Sequence, residues 1–448
     1  MPGLLTDLYQ LTMAAGYFQA GKTGERATFE MFVRRLPANR NYLIAAGLAQ
    51  AVEYLAGLRF SAEQIAWLRG LPQFSRVRPE FFDELGRLRF RGDLFAVPEG
   101  TPVFAGEPIL TVRAPLVEAQ IAETCLLATV GFQTMIASKA ARVVEAAAGR
   151  AVVEFGTRRA HSPQAGVLAG RAAYIGGCVG TSNTETGFRF AVPVFGTAAH
   201  SFVMSFASEM ESFRHLQKLL GEATVYLVDS YNTVEGTRRA ASLGKPLWGV
   251  RLDSGDLLEL SRAARGILDQ AGLGEARIMA TGDLNEYKIR DLLAAGAPID
   301  SFGVGTELAT SADAPNLGVV YKLVELEGES GKRYTVKLSQ DKQTLPGPKQ
   351  VFRFADRDLV GCTWECPTCV PGASPAEALL RPIMLEGRLV EPLPDARAAR
   401  DHAARSLARL PARLRGLAAA EPGWSVDYSG ELLALGASAE RRLGGMRA

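Results

Sequence analysis

Residues 249–271 read GVRLDSGDLLELSRAARGILDQA. A short apolar run ends in an arginine and two aspartates around a Ser-Gly turn, and an amphipathic helix follows. Leu257, Leu258, Leu260, Ala264, Ile267 and Leu268 fall on one broad helical face, with Ser254 as a candidate N-cap and Gly272 as a stop. Asp256 reads as a first-turn partner of the helix dipole. A strand that passes directly into a helix is the unit of a parallel sheet, because parallel strands need a long crossover. The unit recurs: apolar runs stand at 151–155, 172–176, 192–195, 225–228, 247–250, 278–280 and 299–303, most of them separated by helical patterns. Six to eight such units with right-handed crossovers predict an α/β barrel rather than an open sheet.

The flanks have a different texture. Residues 92–115, GDLFAVPEGTPVFAGEPILTVRAP, predict three short strands broken by Gly and Pro turns. Helices are expected at 51–58 and from Ser61, where Ser61 caps and Glu63 sits in the first turn. The weakly charged stretch 123–139 contains Thr124, Thr129, Gln133, Thr134 and Ser138, so it reads as a buried helix and not a membrane span. After about residue 340 the chain turns polar and Pro-rich, then helical over 396–417 with a break at Pro411. Three regions are expected: an N-terminal α+β domain over 1–120, a catalytic α/β barrel over 121–340, and a segment over 341–448 that packs back on the N-terminal domain.

Composition narrows the function classes. The 448 residues are 47% hydrophobic and 22% charged, which excludes a disordered chain. Fifty basic against 48 acidic residues leave a formal charge of +2, so neither a nucleic-acid partner nor a membrane surface is expected. The N-terminus MPGLLTDLYQ lacks a basic stretch followed by an apolar core, so no signal peptide is expected and a cytoplasmic protein is the default reading. Five cysteines are too few for a disulfide scaffold. Forty-six glycines suit a fold with many tight turns at phosphate sites.

Chemistry concentrates where the apolar runs end: EFGTRRAH (154–161), GTAAHS (196–201), VDSYNT (228–233), GVRLDSGD (249–256), ATGD (280–283) and FGVGTE (302–307). Barrel active sites form at the C-terminal ends of strands, so these segments should converge on one polar, anion-friendly rim. Arg251 and Asp253 are two apart on a strand end and point the same way. The arginine can clamp a carboxylate or phosphate, and the aspartate can hold ribose hydroxyls or Mg²⁺; a buried Arg–Asp pair is the structural alternative. Gly303, Gly305 and Thr306 suit phosphate oxygens, and Gly282 with Asp283 forms a similar tight turn. His200 follows a Gly-Thr turn and can serve as base, ligand or phosphate nucleophile. His161 is a weaker candidate, and His215 and His402 lack a comparable setting. Neither a zinc-hydrolase spacing nor a Gly-x4-Gly-Lys-Ser/Thr loop occurs. Cys362, Cys366 and Cys369 could bind zinc, but a fourth ligand at a standard spacing is missing; Cys125 and Cys178 read as core residues.

Seven collinear blocks carry a family resemblance: TDLYQLTMAAGY (6–17), EFGTRRAH, the Gly-Thr-x-Ala-His-Ser turn, LVDSYNT, GVRLDSGDL, SFGVGTEL and KQTLPGPKQVFR (342–353). The chain resembles the nicotinate phosphoribosyltransferases from about residue 4 to its end. The resemblance implies a type II phosphoribosyltransferase fold, an irregular α/β barrel packed on a second α+β domain built from both chain ends. It also implies a homodimer with shared active sites. The implied reaction joins nicotinate to 5-phosphoribosyl 1-diphosphate, giving nicotinate mononucleotide and pyrophosphate, with ATP hydrolysis coupled through a phosphohistidine and Mg²⁺ required. Carried over, His200 matches the phosphorylated histidine. Phe155 and Tyr9 of the partner subunit match the aromatic pair around the pyridine ring. Arg251 matches the arginine that meets the substrate, Thr197 lies beside it, and Arg158 faces the diphosphate or ring. Asp229, Asp253 and Asp283 would hold ribose hydroxyls or Mg²⁺, and Gly303, Gly305 and Thr306 the 5-phosphate. Ser182 stands where nicotinamide phosphoribosyltransferases place an Asp, which favours the acid over the amide. Quinolinate phosphoribosyltransferases are more distant, and a non-catalytic metabolite sensor on the same fold is the rival from another class.

Overall fold

The structure is a computed structural model, and it describes residues 3–338, 343–366 and 375–444. Six parallel strands form the sheet that the apolar runs predict. Across it lie Gly180–Thr181, Ala151–Glu154, Ser301–Val304, Arg277–Ala280, Gly249–Leu252 and Val225–Leu227. Val194 adds an isolated parallel bridge to Thr181 beyond the first of these. Among the described residues no ladder joins the two outer strands, so the α/β barrel is irregular. The central strands are buried on both faces, as a helix-covered parallel sheet requires: Ser301–Val304 is buried along its whole length.

Two of the apolar runs do not become strands. Residues 172–176 belong to the helix Pro163–Ile175, which Ser162 caps through a bond from Ala165 N and Pro163 opens at its first turn. The stretch Ala-Ala-Tyr-Ile packs as well on a helix as in a strand, and Gly176 lets that helix end against the neighbouring one. A Cβ there would stand 2.3 Å from Ala137 O. The second run, 192–195, leaves only the single bridge at Val194. The helix after residue 256 is Leu257–Gln270, and its cap is Asp256, whose carboxylate accepts from Leu258 N and Glu259 N. Ser254 is not the cap; its hydroxyl donates to Asp229 at 2.6 Å.

The second sheet draws on distant parts of the chain. Its seven strands run, in order, Gly331–Tyr334, Val319–Gly328, Arg26–Val33, Pro108–Pro115, Asp93–Ala96, Arg381–Leu385 and Arg388–Leu389. Residues beyond 380 therefore complete a sheet that begins at residue 26. A four-stranded sheet (Glu377–Ala378, Lys349–Arg353, Arg357–Cys362, Ser425–Tyr428) lies beside it. Lys349, buried, bonds Glu30 at 2.7 Å and ties the two together. The helix Ser61 caps is Ala62–Arg69, with a full capping box through Gln64. The stretch from 123 is one helix, Glu123–Ala146, buried along most of its length. It carries Lys139 and Arg142, which both bond the fully buried Glu286 and lock this helix to Glu286–Ala294 of the barrel. The late helices are Ala396–Arg409 and Ala412–Arg415, separated at Pro411.

No described helix is long and apolar enough to cross a membrane. Cys125, Cys178 and Cys362 are buried and free. Burial, reinforced by Glu365 and Glu431, pushes the Cys362 thiol up to about 12, so it stays protonated at neutral pH and makes a poor zinc ligand. Cys366 is disulfide-bonded, and Cys369 lies outside the described residues. Among the described residues no group of three or more His, Cys, Asp or Glu is placed to hold a metal on its own.

Candidate active site

The rim is set by how each strand passes to its helix. Asn232, Asp256 and Asn285 each cap the helix that follows a strand, so only three or four residues lie between strand end and cap. Those short connections carry Asp229 and Ser230, Asp253 and Ser254, and Thr281 to Leu284. Polar side chains are thereby held at the C-terminal edge by hydrogen-bonded backbone on both sides.

A cavity of about 540 Å³ opens at this edge. Phe155, Arg158, Ser182, Thr197, His200, Arg251, Asp253, Gly282, Asp283, Gly303, Gly305 and Thr306 all line it. Asp229 lies just beneath: its Oδ2 accepts from Asp253 N at 3.2 Å and from the Ser254 hydroxyl. Tyr9 is elsewhere. It sits on the helix Leu8–Gln19, 49% exposed, and does not line the cavity of its own chain. His161 is also absent from the lining, His215 stacks on Phe206, and His402 bonds Thr101.

Arg251 organises the floor. Its Nε donates to Thr281 Oγ1 and its Nη1 to Thr197 Oγ1, both at 2.8 Å, while Nη2 donates to Asp253 Oδ1 at 2.6 Å. Its guanidinium carbon stands 5.9 Å from the centre of the Phe155 ring. The Arg–Asp pair foreseen as an alternative is therefore present, inside the cavity and fixed by two threonines. Burial works to raise the Asp253 pKa, but the hydrogen bond from Thr281, the Arg251 charge and His200 outweigh it and hold the carboxyl below its ordinary value.

His200 opens the short helix His200–Met204 and is 40% exposed at its side chain. Its Nδ1 lies 3.0 Å from Ser230 Oγ. Its Nε2 faces two carboxylates, Asp253 Oδ2 at 3.8 Å and Asp229 Oδ1 at 4.0 Å. That Asp229 oxygen is buried without a hydrogen-bond partner. An unpartnered carboxylate oxygen below a histidine and beside a second carboxylate suits a proton on Nε2 or a hard cation.

Glycines fit the walls for two different reasons. Gly303 has ordinary strand geometry, but a Cβ on it would stand 2.6 Å from Thr281 Cγ2 and 2.7 Å from the Phe155 ring. Gly282 has φ +89°, and a Cβ there would stand 1.9 Å from Asp253 O. Gly282→Ala should therefore displace the Asp253 turn. We expect at least about 1–2 kcal/mol of lost stability from the left-handed backbone, with a further loss of activity from the displaced carboxylate. Gly272→Ala is the control, since φ there is +72° with open space around it. Thermal melts and turnover of the two variants check this: equal effects would mean that the clash at Gly282 is relieved without cost.

Four further residues belong to the site. Thr281 bridges Arg251 and Asp253, Ser230 holds His200, and Arg159 and Thr157 line the cavity beside Arg158. Thr281 and Ser230 lie within ATGD and VDSYNT, where attention falls on the charged neighbours; their neutral hydroxyls become informative only once Arg251 and His200 are placed. Arg158 and Arg159 are exposed, with no carboxylate partner among the described residues, so the cavity mouth is cationic while its depth is acidic.

Comparison with known proteins places the chain among its relatives. Residues 4–131 match the family model of the nicotinate phosphoribosyltransferase N-terminal domain, and residues 136–315 that of the quinolinate phosphoribosyl transferase C-terminal domain. A nicotinate phosphoribosyltransferase of Mycobacterium tuberculosis is 45% identical over 426 residues, covering 92% of this chain and 89% of that one. The Bacillus subtilis nicotinate phosphoribosyltransferase is 43% identical over 363 residues, covering 79% and 73%. The crystal structure of human nicotinic acid phosphoribosyltransferase superposes with a TM-score of 0.82 at 28% identity, covering 97% of this chain and 99% of that one.

Proposed function

The chain belongs to the nicotinate phosphoribosyltransferase family, and we propose that the rim around Arg251 is its active site, with His200 as the phosphoryl carrier. The protein is an enzyme of nicotinate salvage for NAD synthesis, with nicotinate and phosphoribosyl diphosphate as the substrates its family implies. One observation carries the assignment of roles: a histidine with two carboxylates under Nε2 stands in the same cavity as an arginine fork and an aromatic ring.

Nicotinate is flat and anionic. Phe155 offers one face for its ring, and Arg251, Arg158 and Arg159 set the positive potential that draws its carboxylate. The second face is supplied by Tyr9 of the partner subunit in a homodimer. Leu5, Leu8, Tyr9 and Met13 are 37–52% exposed at the start of the chain, an apolar strip suited to burial against a second copy. Ser182 lines the cavity without charge, so it does not repel a carboxylate as an aspartate would. Gly303, Gly305 and Thr306 receive the 5-phosphate, and Asp283 and Asp253 the ribose hydroxyls.

Bond making is simple in outline. The pyridine nitrogen attacks ribose C1, the C1–O bond to diphosphate breaks, and positive charge at C1 passes through an oxocarbenium-like state. The protein contributes position and electrostatics. Asp229 Oδ1 and Asp253 Oδ2 are fitted to Mg²⁺, which characteristically takes one or two carboxylates and completes its shell with water and substrate phosphates. Bound there, Mg²⁺ would neutralise phosphate charge.

ATP is coupled through His200. The His200 ring is the nucleophile toward the terminal phosphorus, held by Ser230 beside Nδ1 and standing over the two carboxylates at Nε2. The Pγ–O bond breaks, ADP leaves, and hydrolysis of the P–N bond later releases phosphate. The test is stoichiometric. Purified protein with nicotinate, phosphoribosyl diphosphate, ATP and Mg²⁺ should form nicotinate mononucleotide, pyrophosphate, ADP and phosphate, with ADP release accelerated by the other substrates. Product formation with ADP release no faster than in their absence would contradict the coupling.

A further inference from the structure

Glu154 ends the strand Ala151–Glu154, one position before Phe155, and is fully buried. It does not line the active-site cavity, and among the described residues it has no cationic partner. Burial pushes its carboxyl above the ordinary value, and hydrogen bonds from the Thr181 hydroxyl and the Gly156 amide oppose that rise. A carboxyl buried without a cation is costly, which points to a use beyond stability. None of the steps described above employs it.

Its contacts all lead to the ring slot. Oε1 accepts from Gly156 N, and Oε2 accepts from the Thr181 hydroxyl at 2.5 Å. The Glu154 carbonyl accepts from Ser182 N at 2.9 Å. Thr181 Oγ1 in turn accepts from Asn183 N at 3.0 Å. Phe155 is therefore pinned on both sides, by its own amide on Val304 O at 2.8 Å and by the next amide on the Glu154 carboxyl. Ser182 is pinned in the same way, between Thr181 and Asn183. The ladder pairing Glu154 with Thr181 ends at this point, so the carboxyl supplies order where the strands cease to. Gly156 is close-packed as well: a Cβ there would stand 2.2 Å from Ala309 Cβ. Phe155 and Ser182, two walls of one cavity, thus take their positions from a single buried carboxyl.

We propose that Glu154 is a positioning residue for the acceptor ring, its carboxyl setting Phe155 against Ser182 and so the affinity for nicotinate. The inference rests on the reading of Phe155 as the face that receives the ring, and the experiment separates the two. Glu154→Ala, Glu154→Gln, Thr181→Val and Phe155→Ala are compared by thermal melts and by the KM for each substrate. Glu154→Ala should raise the KM for nicotinate about tenfold, the effect of lost hydrogen bonds to a charged group. Thr181→Val removes one neutral donor and should raise it about threefold. The KM for phosphoribosyl diphosphate should stay within about twofold of the unmodified value in both. Glu154→Gln keeps the length and an acceptor for Gly156 N, and should recover most of the loss. Thr181→Val decides if Glu154→Ala fails to fold. An unmodified KM for nicotinate in both of these variants overturns the proposal. A KM for phosphoribosyl diphosphate that rises in step overturns it too, since the whole rim would then have loosened. A Glu154→Gln enzyme as impaired as Glu154→Ala would assign the effect to charge and not to position, and would also overturn it. An unmodified KM for nicotinate in Phe155→Ala would instead overturn the ring-slot reading itself.

Discussion

His200→Ala should abolish ATP hydrolysis while sparing part of the synthesis. Removing a covalent nucleophile leaves nothing in the cavity to accept the phosphoryl group, so ADP release should fall by more than about 10³-fold. Ribosyl transfer does not itself need the histidine. Arg251, Phe155 and the glycine turns remain, and nicotinate mononucleotide should still form slowly, at one rate with or without ATP. The geometry also places a demand on Ser230. Its hydroxyl lies 3.0 Å from Nδ1 and fixes the orientation of the ring. Persisting stimulation by ATP in His200→Ala would remove the phosphohistidine assignment, because no other histidine lines the cavity.

Arg251 carries the second large effect. Three of its nitrogens are each committed to a different partner, Thr281, Thr197 and Asp253. Arg251→Ala removes the fork and the cation beside Phe155 together. A charge-assisted hydrogen bond contributes about 1.5–3 kcal/mol, so kcat/KM for nicotinate should fall roughly 10- to 150-fold. Arg251→Lys should recover little of this, because a point charge cannot meet three partners in one plane. Stability should change as well. Asp253 is held below its ordinary pKa, so its contribution is complete above the unfolded-state value and fades as pH falls through the folded-state one. Without Arg251 that acid-side loss should flatten. Thermal melts between neutral and acidic pH, run beside the kinetics, measure both effects. An Arg251→Lys enzyme with unmodified kcat/KM would show that charge alone suffices.

Much of the fold is legible in the sequence for a physical reason. Strand, polar turn and capped helix repeat with short spacing, so residues 225–303 declare a parallel sheet and its functional edge. The same local logic misreads 172–176, where small apolar residues suit a helix and a strand equally and the N-cap at Ser162 decides. It also prefers Ser254 to Asp256 as a cap, although Ser254 is drawn away by Asp229. The charged and glycine positions of the rim stand out because burying them without a function is costly. Thr281 and Ser230 do not, since a hydroxyl costs little and its partner is set by tertiary structure. Tyr9 shows the limit of a single chain: it does not line the cavity that holds Phe155, and only the proposed second subunit would bring the two rings together.

The most direct test of the active-site assignment compares nicotinate with nicotinamide as acceptors for phosphoribosyl diphosphate in one enzyme preparation. An arginine-rich mouth and an uncharged Ser182 predict kcat/KM at least about tenfold higher for the acid, the effect of one differential charge contact of about 1.4 kcal/mol or more. Equal use of the two, or preference for the amide, would contradict the reading of Arg251 and of the cavity around it.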